Sequence, residues 1–269
     1  ALEYLIDGRL DHTKETFEHG IVQLLPGHVL EYNLSDTTST VSPWYSIKPK
    51  TTKGKFSNIK KNFKKHLAES VKLRMRADVP VGTCLSGGLD SSTIACLMQG
   101  VLDTEKAAQK IQTVTSCSTD AKYDEWKFAD IVNKHIDALP HQVFPSFQKL
   151  EEDIDKLLWH MDYPFGSTSQ FSQWCVFEGA KDKNMTVMID GQGADEQLAG
   201  YGGNDLPLYT GLFRQLKWKT LAVESIAYKS KHGSWPIGFL LGAVQSILPA
   251  PLLKIFPINY QVAKKEIPA

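Results

Sequence analysis

Cysteine is scarce in this chain and unpaired. Cys84, Cys96, Cys117 and Cys175 are the only four in 269 residues, and no two of them share a Cys-x-x-Cys spacing. That excludes a cysteine zinc site and a disulfide framework, and it predicts reduced thiols packed in the core. Charge of one sign is missing too: 30 basic and 30 acidic side chains cancel. A neutral chain has no general pull toward nucleic acid or an anionic membrane. Long apolar runs are also absent. The most apolar stretch, Trp235–Pro257, is broken by Pro236, Gln245, Pro249 and Pro251. Only about a dozen residues lie between those prolines, against the ~20 a membrane span needs, so a core or interface helix is expected. The first residues do not read as a secretory signal, and a cytoplasmic location is expected.

One further absence is more specific. No Gly-x-x-x-x-Gly-Lys-[Ser/Thr] string occurs, so the lysine that reaches the outer phosphates in a Walker A loop is missing. Residues 80–92 instead read Pro-Val-Gly-Thr-Cys-Leu-Ser-Gly-Gly-Leu-Asp-Ser-Ser. An apolar run (Val79, Val81, Cys84, Leu85) breaks into Ser86-Gly87-Gly88. A helical pattern follows, carried by Ile94, Ala95, Leu97 and Met98. Strand, glycine turn and helix start together aim unpaired N–H groups and a helix dipole at one point, which favours phosphate. Asp90 sets a carboxylate beside that anion. The pairing is repulsive unless a cation such as Mg²⁺ lies between them.

A second constellation lies at residues 184–203, Asn-Met-Thr-Val-Met-Ile-Asp-Gly-Gln-Gly-Ala-Asp-Glu-Gln-Leu-Ala-Gly-Tyr-Gly-Gly. Thr186–Ile189 reads as a buried strand. Asp190, two glycines, Asp195 and Glu196 follow at its carboxyl end, where open α/β sheets gather ligands. Asp195 and Glu196 either face that ligand or simply charge the start of a short helix.

Ser86-Gly87-Gly88-Leu89-Asp90-Ser91-Ser92 resembles the PP-loop of the ATP pyrophosphatases. With the second constellation, the chain resembles the synthetase domain of glutamine-dependent asparagine synthetase. Arg74–Gly82, Tyr123-Asp124-Glu125 and Asp162-Tyr163-Pro164-Phe165 are similar to further family segments. Asp11-His12-Thr13, Leu25-Pro26-Gly27-His28 and Trp44-Tyr45 look like the tail of the preceding glutaminase domain. The resemblance covers residues 1 to about 203.

It implies a two-step reaction. ATP would rest its pyrophosphate on Ser86, Gly87, Gly88, Asp90, Ser91 and Ser92, with adenine at Leu85 and Ser116 and the ribose near Gly191. Mg²⁺ would lie between Asp90 and Asp195. An aspartate-like carboxylate would attack the α-phosphorus and release pyrophosphate. Ammonia, made from glutamine by a glutaminase domain absent from this sequence, would then displace AMP and leave an amide. Glu125 either orients this site or is a capping-turn charge on an exposed helix. No nucleic-acid or membrane partner is implied, and a homodimer stays open.

Two departures stand out. The chain begins at Ala1 where such an enzyme begins with a catalytic cysteine, and the tail-like first fifty residues favour a removed glutaminase domain. Gln192 stands where the family has glutamate, and Asp190 where it has a small residue. Glutamine donates a hydrogen bond but cannot accept a proton as a base. Another carboxylate acceptor (a sugar acid, a peptide or a β-amino acid) or a catalytically silent ATP-binding relative are therefore alternatives. A tRNA-modifying PP-loop enzyme and a GMP- or NAD-synthetase-like ligase are rivals.

Three stretches are expected: a glutaminase remnant and linker at 1–50, a PP-loop domain at 51–205, and a helical extension at 206–269. The family would add a further helical segment bearing a basic residue for pyrophosphate. From residue 79, strands at Val79–Leu85, Ile111–Ser116, His141–Phe144 and Thr186–Ile189 alternate with helices. Those helices span about Ser91–Gln99, Asp124–His135, Phe147–Met161 and Ser169–Lys183. This order predicts an α/β fold, a parallel sheet with helices on both faces. A helix over Phe56–Arg76 carries Ile59, Phe63, Leu67 and Val71 on one side and a solvated lysine face on the other.

Overall fold

The computed structural model describes residues 2–8, 12–48 and 52–247. Asp11, Pro49, Pro249 and Pro251 lie outside the described residues. Contacts divide the chain into two units, between Gly191 and Gln192.

The first unit opens with a short helix, α1 (Leu2–Asp7), and an antiparallel hairpin of β1 (His28–Tyr32) and β2 (Ser39–Pro43). Phe17 meets Tyr4 edge to face and stacks on Tyr163, with ring centroids 5.5 and 5.9 Å apart. Helix α2 (Phe56–Arg74) buries Val71 and keeps Lys60, Lys61, Lys64 and Lys65 in solvent, so its lysines are a solvated face.

Four strands then build the sheet: β3 (Val81–Cys84), β4 (Gln112–Ser116), β5 (Leu139–Val143) and β6 (Val187–Ile189). All pair in parallel, in the order β5-β4-β3-β6. Between β3 and β4 runs α3 (Leu89–Glu105), and between β4 and β5 runs α4 (Trp126–His135). Helices α5 (Phe147–Met161) and α6 (Thr168–Asp182) return the chain across the sheet to β6. The path from β3 moves outward to β5, then crosses back to the opposite edge of β3. That reversal falls between β3 and β6, the position at whose carboxyl ends open α/β sheets bind ligands.

Alternation along the strands gives the sheet two apolar faces. Toward one side, Val81 and Ile189 pack with Val71, Met98 and Leu102, while Leu85 packs with Ala95, Ala129 and Ile136. Toward the other, Cys84, Val114 and Met188 meet Val176 and Ala180 of α6. The expected parallel sheet with helices on both faces is therefore present.

Local boundaries differ from expectation in instructive ways. Helix α3 does not stop at Gln99, because Leu102 continues the buried stripe of Ala95 and Met98 past Gly100. Cys117 and Cys175 are buried and Cys84 is half-buried, but Cys96 is exposed, against the expectation of a core thiol. Cys96 follows Ala95 on α3 and so turns away from the sheet.

The second unit contains α7 (Ala194–Leu198), α8 (Asp205–Arg214), α9 (Trp218–His232) and α10 (Ile237–Gln245). Tyr209, Leu212, Leu221 and Ala243 form its core. The apolar stretch expected as a core helix supplies α10, only nine residues long. No described helix is long and apolar enough to cross a membrane.

Candidate active site

The loop from β3 into α3 is held shut by its own hydroxyls. Ser86 Oγ lies 3.0 Å from Ser91 Oγ and accepts from the Gly88 N–H at 3.2 Å, while the Ser86 N–H donates to Ser91 Oγ at 3.3 Å. Gly87 turns the loop at φ +79°. An added Cβ there would lie 2.5 Å from the Ala129 nitrogen and Phe128 Cβ of α4, so only glycine lets α4 close on this turn. Gly88 caps α3 without a side chain, and Asp90 stands in the first turn. The N-terminal amides of α3 are thus left to water or a ligand.

The exit of β6 presses on the same helix start. A Cβ on Gly191 would lie 3.0 Å from Asp90 Cβ and 3.1 Å from the Ser91 nitrogen. Gly191, expected near a ribose, therefore lies beside Asp90 and Ser91, all three just beyond the carboxyl ends of β3 and β6. Leu85 is buried, and its carbonyl accepts from Thr115 Oγ1 at 2.7 Å, which ties the ends of β3 and β4 together. Ser116 is half-buried at the carboxyl end of β4, and Ser92 half-buried on α3.

Asp190 brings its negative charge to this end of the sheet. The Cys84 thiol is pushed up to about 12, first by burial and then by Asp190. A thiol held protonated at neutral pH is a poor nucleophile.

The remaining expected residues, Gln192 and Asp195, belong to the second unit. Gln192 is exposed just before α7. Asp195 is half-buried in the first turn of α7, and its carboxylate lies against Gly200 so closely that a Cβ at Gly200 would overlap it. Neighbouring Glu196 accepts from the Tyr201 hydroxyl at 2.9 Å. Sequence reasoning missed Gly200, Thr115 and the contact of Gly87 with α4. None has a signal in its own window, since each matters through a partner from another element or turn.

Among the described residues, no three His, Cys, Asp or Glu side chains converge as a metal cage. Mg²⁺ in nucleotide sites is ordinarily held by one or two carboxylates with substrate phosphates, so Asp90 beside an uncapped helix start fits that donor set.

Residues 62–240 match the family model of asparagine synthase. The chain belongs to that family. A protein of Methanocaldococcus jannaschii described as a candidate glutamine-hydrolysing asparagine synthetase 2 is 42% identical over 138 residues, covering 51% of this chain and 26% of that protein. Asparagine synthetase 2 of Bacillus subtilis is 32% identical over 207 residues, 70% of this chain and 26% of its own. The amidase chyE of Penicillium rubens is 28% identical over 198 residues, 69% of this chain and 30% of its own. The chain thus spans less than a third of the length of these relatives.

Proposed function

We propose that this chain carries the ATP-dependent amide-ligase site of an asparagine synthetase-type enzyme. A carboxylate substrate, aspartate first, attacks the α-phosphorus of ATP and forms an acyl-adenylate with release of pyrophosphate. Ammonia then attacks the acyl carbon, AMP leaves, and an amide remains. The observation that carries this reading is the meeting of the Ser86–Ser92 loop with Gly191 beside Asp90, at the carboxyl ends of β3 and β6.

Ser86 and Ser91 would exchange their mutual hydrogen bond for phosphate oxygens, and the amides at the start of α3 would hold the departing pyrophosphate. Leu85 and Ser116 would seat adenine through backbone groups, and Gly191 would leave room for the ribose. Asp90 and Asp195 would hold Mg²⁺, which when bound offsets the charge on the leaving group. Gln192 would orient the acceptor or ammonia by hydrogen bonding, having no basic lone pair to take a proton. The ammonia is proposed to come from glutamine, through a glutaminase region to which residues 1–50 belong.

A second acceptor is the one alternative with support. The Penicillium relative is named an amidase, and Gln192 and Asp190 depart from the asparagine synthetase pattern. Acceptor-dependent ATP–pyrophosphate exchange by the full-length protein tests both. Exchange with aspartate alone is expected. Exchange only with another carboxylate would keep the chemistry and change the substrate, and no exchange with any acceptor would overturn the ligase reading.

A further inference from the structure

In Tyr123-Asp124-Glu125 the aspartate, rather than the glutamate, is built into the fold. Glu125 is exposed, and its side chain makes no capping bond to α4. Asp124 is half-buried, and its Oδ1 accepts two backbone N–H groups, from Ser118 at 3.2 Å and Trp126 at 3.3 Å. The first belongs to the loop leaving β4, the second to the first turn of α4. One carboxylate oxygen therefore clamps the exit of β4 to the start of α4.

What α4 touches gives the clamp its consequence. Its backbone at Phe128–Ala129 is the surface on which Gly87 turns. Ala129 is buried with Leu85 and Ile136 in one cluster. The β4 exit is pinned from its other side by the Cys117 N–H, which donates to the Val143 carbonyl at 2.8 Å. A shift of α4 would release the Gly87 turn, and a shift of the β4 exit would move Ser116.

We infer that Asp124 is a positioning residue of the nucleotide site: by joining the loop after β4 to α4, it holds the Ser86–Gly88 turn and Ser116 in one frame. This rests on the proposed ATP site. Its role is geometric, since what it supplies is an acceptor oxygen for two amides.

Mg·ATP binding to the full-length protein, measured by calorimetry, tests the inference with Asp124→Asn, Asp124→Ala and Glu125→Gln. Asparagine keeps the Oδ1 acceptor and loses the charge, whereas alanine loses both. Glu125→Gln should bind as the unaltered protein does, and Asp124→Asn within about twofold, because its acceptor survives. Asp124→Ala should bind about tenfold more weakly, about 1.4 kcal/mol, because the Ser86–Gly88 turn and Ser116 are no longer held in one frame. Its Ser118 and Trp126 amides should exchange faster, and its thermal midpoint should fall by a few degrees for the two lost backbone hydrogen bonds. Asp124→Asn as weak as Asp124→Ala would overturn the geometric role. So would an Asp124→Ala protein with a lowered midpoint and intact affinity, which marks a merely structural cap. Should Asp124→Ala fail to fold, the affinity of Asp124→Asn decides. If the unaltered protein binds no Mg·ATP, the nucleotide site fails and takes this inference with it, a result seen before any substitution is made.

Discussion

At the scale of single residues, the site is shaped by three glycines, each for a different reason. Gly87 combines φ +79° with the α4 backbone 2.5 Å from any added Cβ. Gly87→Ala is expected to cost about 2–4 kcal/mol in urea unfolding, from left-handed strain plus overpacking. At Gly200 no positive φ is involved, only the Asp195 carboxylate lying where a Cβ would go. Gly200→Ala should leave the thermal midpoint within a few degrees yet weaken the Mg²⁺ dependence of pyrophosphate exchange about tenfold, a typical cost of disturbing a ligand's support. Gly191 sits between these cases, at 3.0 Å from Asp90 Cβ. The thiols divide just as sharply. Burial lifts Cys117 to about 11 and Cys84 to about 12, whereas Cys96 is exposed. Brief alkylation of the native protein at pH 8, mapped by mass spectrometry, should modify Cys96 and spare Cys84 and Cys117. Sequence pattern found the Ser86–Ser92 loop because its glycines and hydroxyls lie side by side. It could not place Cys96, since an apolar helix neighbourhood does not say which face a residue takes.

Among the elements, α5 and α6 are joined by an ion network. Asp153, nearly buried on α5, accepts from Lys149 at 2.9 Å and Lys156 at 3.0 Å, and Lys149 also reaches Glu178 of α6 at 2.8 Å. Hydrogen bonds from Lys149, then from Lys156, hold the Asp153 carboxyl down at about 2. A depressed carboxyl stabilises the fold above its unfolded value, near 4, and that contribution disappears as pH falls toward 2. Asp153→Asn should therefore lower stability at pH 7 by about 1 kcal/mol, the modest end of the range because both lysines reach solvent. The deficit should shrink as denaturation is repeated from pH 5 down to pH 2. Element boundaries were legible where the code is local: α5 runs Phe147–Met161 as expected, its first turn capped by the Ser146 hydroxyl. Strand β5 was not, beginning at Leu139 and including Pro140 rather than starting at His141. Proline is tolerated there because β5 is an edge strand.

For the whole molecule, the decisive feature is strand order. The run of β3, β4 and β5 to one side, followed by β6 on the other, puts the two motif-bearing loops at the carboxyl ends of adjacent strands. The shared Mg²⁺ of the proposed function makes a prediction about coupling. Asp90→Asn and Asp195→Asn should each lower exchange on the order of 100-fold, the usual cost of losing a charge-stabilising group. The double variant should be hardly worse than either single one, because groups serving one ion do not add. Full additivity would separate the two carboxylates into independent roles.

The sequence alone determined which residues could carry the chemistry. It also determined that strands and helices alternate, because turn glycines, capping residues and apolar periodicity act within a few positions of one another. Only the tertiary structure decided that β6 returns to β3, that α4 backs Gly87, and that Gly191 rests on Asp90. Those contacts join Val81 to Val187, Gly87 to Ala129 and Asp90 to Gly191. They arise from burying both faces of one sheet at once, a condition that no local window contains.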